Sequence, residues 1–206
     1  GSDRPARDRL QGLAEIMATK KKITLNRREV VSHIVRDRGD MLLVTGLGST
    51  TWDAAAAGDH PNNFYFWGGM GGASAAGLGL ALAQPDRRVI VLTGDGEILM
   101  GLGSLATIAV SAPKNLALCV IDNQHYGETG MQETHTGHGV DVAGMAAAAG
   151  FKETMTAWMK KDVEAAIPLL YETKGPVFVD IKVGTDYVPM VLPMRDGTAI
   201  RGRFRE

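Results

Sequence analysis

An acid and an amide stand at two points where an apolar run stops. Gly94-Asp95-Gly96-Glu97 follows the run 88–93, and Asn123 follows the run 116–121, 28 positions after Asp95. If both runs are neighbouring strands of a parallel sheet, their ends share one crevice. A carboxylate, an amide oxygen and a backbone carbonyl are hard oxygen donors suited to octahedral Mg²⁺. The glycines allow close backbone approach, and a helix opening after Gly96 would offer free N–H groups to a phosphate. Together these residues describe a site for a diphosphate bridged by Mg²⁺.

Other chemistry is weakly represented. The sequence has no Gly-x-x-x-x-Gly-Lys-Ser/Thr loop, no Gly-x-Ser-x-Gly elbow and no complete Gly-x-Gly-x-x-Gly turn at Gly46 or Gly94. His135 and His138 are three apart but lack a third zinc ligand at sensible spacing. Cys119 is the only cysteine, which excludes an internal disulfide and a multi-cysteine cluster within the chain. Its apolar neighbours predict a buried small hydrophobe.

The elements that must position Asp95 and Asn123 follow from periodicity and turn chemistry. Asn26 reads as a helix N-cap, with Glu29 three residues on and an apolar face at Val30, Val31, Ile34 and Val35. Strands are predicted at 41–45, 63–67, 88–93, 116–121 and 176–181, and helices at 51–57, 73–83, 98–111, 140–149 and 160–171. The segment 124–139 reads as a polar loop. Continuous apolar strands alternating with helices specify a three-layer α/β/α sandwich with a mainly parallel sheet. Ligands in such folds bind beyond the carboxyl ends of the strands, after Thr45, Trp67, Thr93 and Ile121.

The 206 residues are 45% hydrophobic and 22% charged, enough for one sizeable core. A net charge of −1 argues against a protein that binds nucleic acid through net charge. No signal peptide or membrane span is visible, so a cytoplasmic protein is expected. Gly1-Ser2 reads as a cloning scar. The expected organisation is a polar arm at 1–25, centred on Lys20-Lys21-Lys22, a domain at 26–184 and a basic tail at 185–206. Arg195, Arg201, Arg203 and Arg205 in that tail are expected to be solvated or to meet a partner. Trp52, Trp67 and Trp158 are expected to pack.

Gly-Asp-Gly, then just under thirty residues, then an Asn closing an apolar strand resembles the binding motif of thiamine diphosphate enzymes. The resemblance implies that Asp95, the Asn123 side chain and the His125 carbonyl bind Mg²⁺, with Gly94, Gly96 and Glu97 beside the cofactor. Gly68-Gly69-Met70-Gly71 looks like the loop holding the aminopyrimidine. There Gly68 would offer its carbonyl, with Gly69 beside it, and Met70 would wedge the cofactor into its bent form. Ser49 and Thr50 sit where the family often contacts the diphosphate. The stretch from Asp122 to Thr134 is similar to the β subunit of sulfopyruvate decarboxylases and the matching half of phosphonopyruvate decarboxylases. It adds Tyr126 and Gly127 to the expected cofactor contacts. Tyr126 could line the pocket or anchor its loop, and anchoring is the favoured reading. Glu128 departs from that pattern, which has a small Ser; it would repel an anionic substrate if it faced the pocket.

The chain has room for only the diphosphate-binding half of such a site. The resemblance therefore implies a partner subunit with a pyrimidine-binding domain and a catalytic Glu, in a heterotetramer or larger assembly. The implied reaction decarboxylates a small anionic 2-oxo acid, sulfopyruvate- or phosphonopyruvate-like, to an aldehyde. His125, His135 and His138 are candidates for moving protons near neutral pH. Acetolactate synthase-like carboligation, oxidative decarboxylation, a non-catalytic cofactor-binding module and a scaffold remain alternatives.

Overall fold

A computed structural model describes residues 23–66 and 68–206. Most of the expected arm, with its three lysines, and Trp67 lie outside the described residues. Six parallel strands form the sheet: β1 (Leu42–Thr45), β2 (Asn63–Tyr65), β3 (Val89–Gly94), β4 (Leu116–Asp122), β7 (Glu153–Ala157) and β8 (Val177–Lys182). Their order is β2-β1-β3-β4-β8-β7. Thr45 pairs with Leu92 and Gly94 with Ile121, so β3 and β4 end side by side and β1 stops two residues short of them. Every residue of β4 is buried, as expected of a parallel strand covered on both faces.

Helices cover both faces. On one, α1 (Arg27–Arg36), α2 (Ser49–Ala56) and α7 (Lys160–Tyr171) pack Val31, Ala54 and Leu170 against Leu43, Ile90, Cys119 and Val179. On the other, α3 (Ala73–Ala83), α4 (Asp95–Met100), α5 (Gly103–Ser111) and α6 (Val142–Ala149) pack Leu78, Ile98, Ile108 and Ala146 against Val89, Val91, Leu118 and Phe178. The alternation along β3 sends Ile90 and Leu92 one way and Val89 and Val91 the other. This is the expected three-layer α/β/α sandwich. Asn26 caps α1, accepting from the N–H groups of Arg28 and Glu29 at 3.0 and 3.2 Å. Arg88 donates to the carbonyls of Leu169, Leu170 and Thr173 at 2.7–3.0 Å, closing the C-terminal end of α7. Cys119 is fully buried.

Four sequence expectations need correction. The helix expected over 98–111 begins at Asp95 and is two helices, broken at Gly101-Leu102. A Cβ at Gly101 would overlap the Gly71 carbonyl, so the break lets the loop before α3 pack on bare backbone. Strand β7 was not expected. It is a polar edge strand, Glu-Thr-Met-Thr-Ala, whose only strand neighbour is β8. The polar loop contains a hairpin of β5 (His125–Tyr126) and β6 (Gln132–Glu133), then a 3₁₀ turn at His135–His138.

The tail, finally, carries α8 (Gly197–Arg205), capped by Asp196, which accepts from the N–H groups of Thr198 and Ala199. Ile200 is buried, and Phe204 meets Phe64 with ring centroids 5.4 Å apart. Arg203 forks onto Asp59 at 2.6 and 2.9 Å, so this residue is not part of a solvated tail, whereas Arg195, Arg201 and Arg205 are exposed. No helix among the described residues is long and apolar enough to cross a membrane.

Candidate active site

The sheet brings the two ends together as the spacing required: Gly94 and Ile121 are paired, which places Asp95 and Asn123 just past neighbouring strand ends. Asp95 opens α4 and is 2% exposed. Its Oδ2 accepts from the hydroxyl of Thr134, and the Thr136 hydroxyl stands 3.2 Å from it. Burial first, and the neighbouring Asp122 charge second, push the Asp95 carboxyl up to about 6; the Thr134 hydrogen bond works against them.

Asn123 and His125 form a tight turn. The Asn123 side-chain oxygen accepts the His125 N–H at 3.0 Å, and the His125 ring Nδ1 lies 2.8 Å from the Asn123 carbonyl. The Tyr126 ring lies where a side chain on Gly96 would be, so it anchors the hairpin to the first turn of α4. Gly127 is exposed beyond it.

Glu97 is 3% exposed. It accepts from Thr93 Oγ1 at 2.6 Å and from the Ala73 N–H at 3.3 Å, with the backbone of Gly71 and Leu47 nearby. Burial raises its pKa, and these donors oppose the rise. The structure thus gives Glu97 to the loops after β1 and β2 rather than to open space. Gly46 must be bare, because a Cβ there would overlap the Glu97 carboxylate. Ser49 is half-buried in the first turn of α2, and the Thr50 hydroxyl turns back to the Gly46 carbonyl at 3.3 Å. Gly68 has open space where a side chain would be, Gly69 packs on Phe66, and Met70 is 38% exposed.

Glu128 reaches back from the hairpin. Its Oε1 lies 2.8 Å from where a Cβ on Gly48 would stand, over the start of α2. Burial raises its pKa and Arg27 opposes that rise. The three histidines lie on one hairpin and turn. His135 is exposed, and His138 Nε2 lies 3.3 Å from Glu133 Oε2.

Sequence reasoning missed the groups behind Asp95. Asp122 Oδ1 accepts the Thr136 hydroxyl and the Gln124 N–H, both at 2.8 Å, while its Oδ2 pairs with Lys182. Lys182 Nζ also lies 2.8 Å from Asp180 Oδ2. Burial, then the Asp122 charge, push Asp180 up to about 7, against the pull of Lys182. The available signal was two charged residues in an otherwise apolar strand, β8. Asp95, Asp122 and Asp180 are three buried carboxylates against the one ammonium of Lys182. Fully ionised, the cluster would leave two negative charges unmatched, which is the charge a divalent cation would balance. No group of three His, Cys, Asp or Glu among the described residues could hold a metal. The Asp95 carboxylate, the Asn123 amide oxygen and the His125 carbonyl nevertheless form a hard-oxygen set suited to one. Two cavities, of about 860 and 520 Å³, lie beside α1, and neither is lined by these three residues.

A family model for the C-terminal TPP-binding domain of thiamine pyrophosphate enzymes matches residues 46–181, from the β1 turn to β8. The chain belongs to this family. It is 42% identical over 154 residues to the sulfopyruvate decarboxylase subunit beta of Methanocaldococcus jannaschii, covering 74% of this chain and 81% of that one. Against the phosphonopyruvate decarboxylase of Streptomyces viridochromogenes it is 37% identical over 144 residues, 70% of this chain but 36% of that protein. A crystal structure of a putative thiamin diphosphate-dependent enzyme from Mycobacterium smegmatis shares the fold. Its TM-score is 0.67 at 23% identity, over 79% of this chain and 32% of that one. In this TPP-binding domain the matched region contains Asp95, Asn123 and His125, and the Thr134 and Thr136 hydroxyls beside Asp95.

Proposed function

We propose that this chain is the diphosphate-binding subunit of a split enzyme dependent on thiamine diphosphate and Mg²⁺. It decarboxylates a small anionic 2-oxo acid, of the sulfopyruvate or phosphonopyruvate kind, to an aldehyde. The observation that carries this reading is a buried Asp95 with a surplus of negative charge behind it, beside Asn123 at the next strand end. The similarity to a protein named as a β subunit supports the split.

Bound thiamine diphosphate would supply the electron sink that decarboxylation needs. The chain's own residues bind and orient. Asp95, Asn123 and the His125 carbonyl hold the metal. Ser49, Thr50 and the bare backbone at Gly94 and Gly96 face the diphosphate. Gly68, Gly69 and Met70 seat the aminopyrimidine, with Tyr126 and Gly127 bordering the cofactor. Glu97 holds the two loops at either side in register. His125, His135 and His138 are the chain's candidates for moving protons; the His125 ring is bound within its own turn, and His138 pairs with Glu133. A pyrimidine-binding partner supplies the glutamate, in a heterotetramer or larger closed assembly.

The test is CO₂ and aldehyde release from sulfopyruvate, phosphonopyruvate and pyruvate, with this chain alone and with its partner subunit. Release should need both chains, the cofactor and Mg²⁺. Turnover by this chain alone, or a folded and assembled pair inactive on all three acids, would overturn the reading.

A further inference from the structure

Lys182 ends β8 and is 4% exposed. Its ammonium pairs with Asp122, lies 2.8 Å from Asp180 Oδ2, and stands 5.7 Å from the centre of the Trp158 ring. None of the proposed cofactor contacts involves it. Its reach into the site runs through Asp122. One Asp122 oxygen is taken by Lys182; the other receives the Thr136 hydroxyl and the Gln124 N–H. Gln124 lies between Asn123 and His125, so this bond fixes the turn that presents two of the three metal donors. Thr136 lies 2.8 Å from Asp122 and 3.2 Å from Asp95. Its single hydroxyl hydrogen therefore favours Asp122, and Thr134 serves Asp95. The turn bearing two of the three donors, Asn123 and His125, is thus held from a carboxylate that is itself held by one buried ammonium.

We infer that Lys182 is a positioning residue for the divalent-metal site, acting through Asp122 on the turn that carries Asn123 and His125. This deepens the proposed function and rests on it. Asp180 is the internal control. It is equally buried and its Oδ2 lies 2.8 Å from the same ammonium, but it accepts no hydrogen bond from Gln124 or Thr136. Asp180 should matter for charge balance, not for donor geometry.

The experiment uses the assembled pair with saturating thiamine diphosphate and titrates Mg²⁺ calorimetrically. Lys182→Met should weaken Mg²⁺ binding roughly 10- to 100-fold, the range seen when a partner behind a metal ligand is removed. In the metal-free protein, the same variant should speed amide exchange at Gln124. Asp180→Asn should weaken Mg²⁺ binding through lost charge alone and leave amide exchange at Gln124 near wild type, and Lys182→Arg should recover most of the affinity. If the Met variant does not fold, Lys182→Met with Asp180→Asn, which keeps the wild-type net charge, takes its place with the same expected loss. A folded Met or double variant that binds Mg²⁺ like wild type overturns the inference. So does faster amide exchange at Gln124 in Asp180→Asn equal to that in Lys182→Met, which would mark the cluster as structural only. Wild type that takes up no Mg²⁺ overturns the proposed function itself.

Discussion

Asp95 meets two hydroxyls where a buried carboxylate ordinarily meets a cation. Its raised pKa means that the folded, metal-free protein prefers the neutral acid. Stability from this residue is therefore full at low pH and is lost as pH rises through about 6. Asp95→Asn should remove that loss. At pH 8 in EDTA its thermal midpoint should equal or exceed that of wild type, while Mg²⁺-dependent cofactor binding disappears. Gly46→Ala works the other way. The added methyl group displaces Glu97, and the cost should be ~1–3 kcal/mol by chemical denaturation. At this scale much of the site was legible. Asp95 and Asn123 are marked by residue type at strand ends, and the 28-residue spacing places them just past neighbouring strand ends. Lys182 and Asp180 were not legible as site residues, because a charged pair inside a strand reveals its partner only after β8 is set beside β4.

The strands whose register matters were readable because β1, β3 and β4 are short apolar runs cut off by Gly, Asp or Asn. Strand β7 was missed because an edge strand with one neighbour needs no continuous apolar run. The α4–α5 break was missed because nothing local says that a second glycine backbone will lie against Gly101. That contact ties the break to the loop carrying Gly68 and Met70. Gly101→Ala should therefore act twice. We expect a loss of ~1–3 kcal/mol in denaturation and weaker thiamine diphosphate binding in calorimetry, since the Gly71 carbonyl must move. A variant destabilised by that amount with unchanged cofactor affinity would separate the break from the loop.

At the scale of the molecule, α8 closes the sheet edge beyond β2, where a sequence reading of the tail saw only basic residues. The signals were present: Asp196 as a cap, then Ile200 and Phe204 four apart on one face. Their target, Phe64 with Asp59, is far away in sequence. The fork from Arg203 holds the Asp59 carboxyl below the usual carboxylate range. Its stabilisation is thus present above the ordinary Asp pKa and is lost as pH falls through the lowered value. Asp59 and Arg203 are partly exposed, so the pair is worth at most ~1 kcal/mol. Arg203→Ala should lower the thermal midpoint slightly at pH 7 and leave it unchanged once the pH is below the folded Asp59 pKa.

In the proposed reading, the described residues of this chain supply the metal donors and the cofactor-facing backbone. Its central claim is metal-bridged cofactor binding at Asp95. The most direct measurement is calorimetric titration of thiamine diphosphate into the assembled pair, with and without Mg²⁺, for wild type and Asp95→Asn. The account predicts tight binding only for wild type with Mg²⁺. Equal binding without Mg²⁺, or full binding by a folded Asp95→Asn variant, would contradict it.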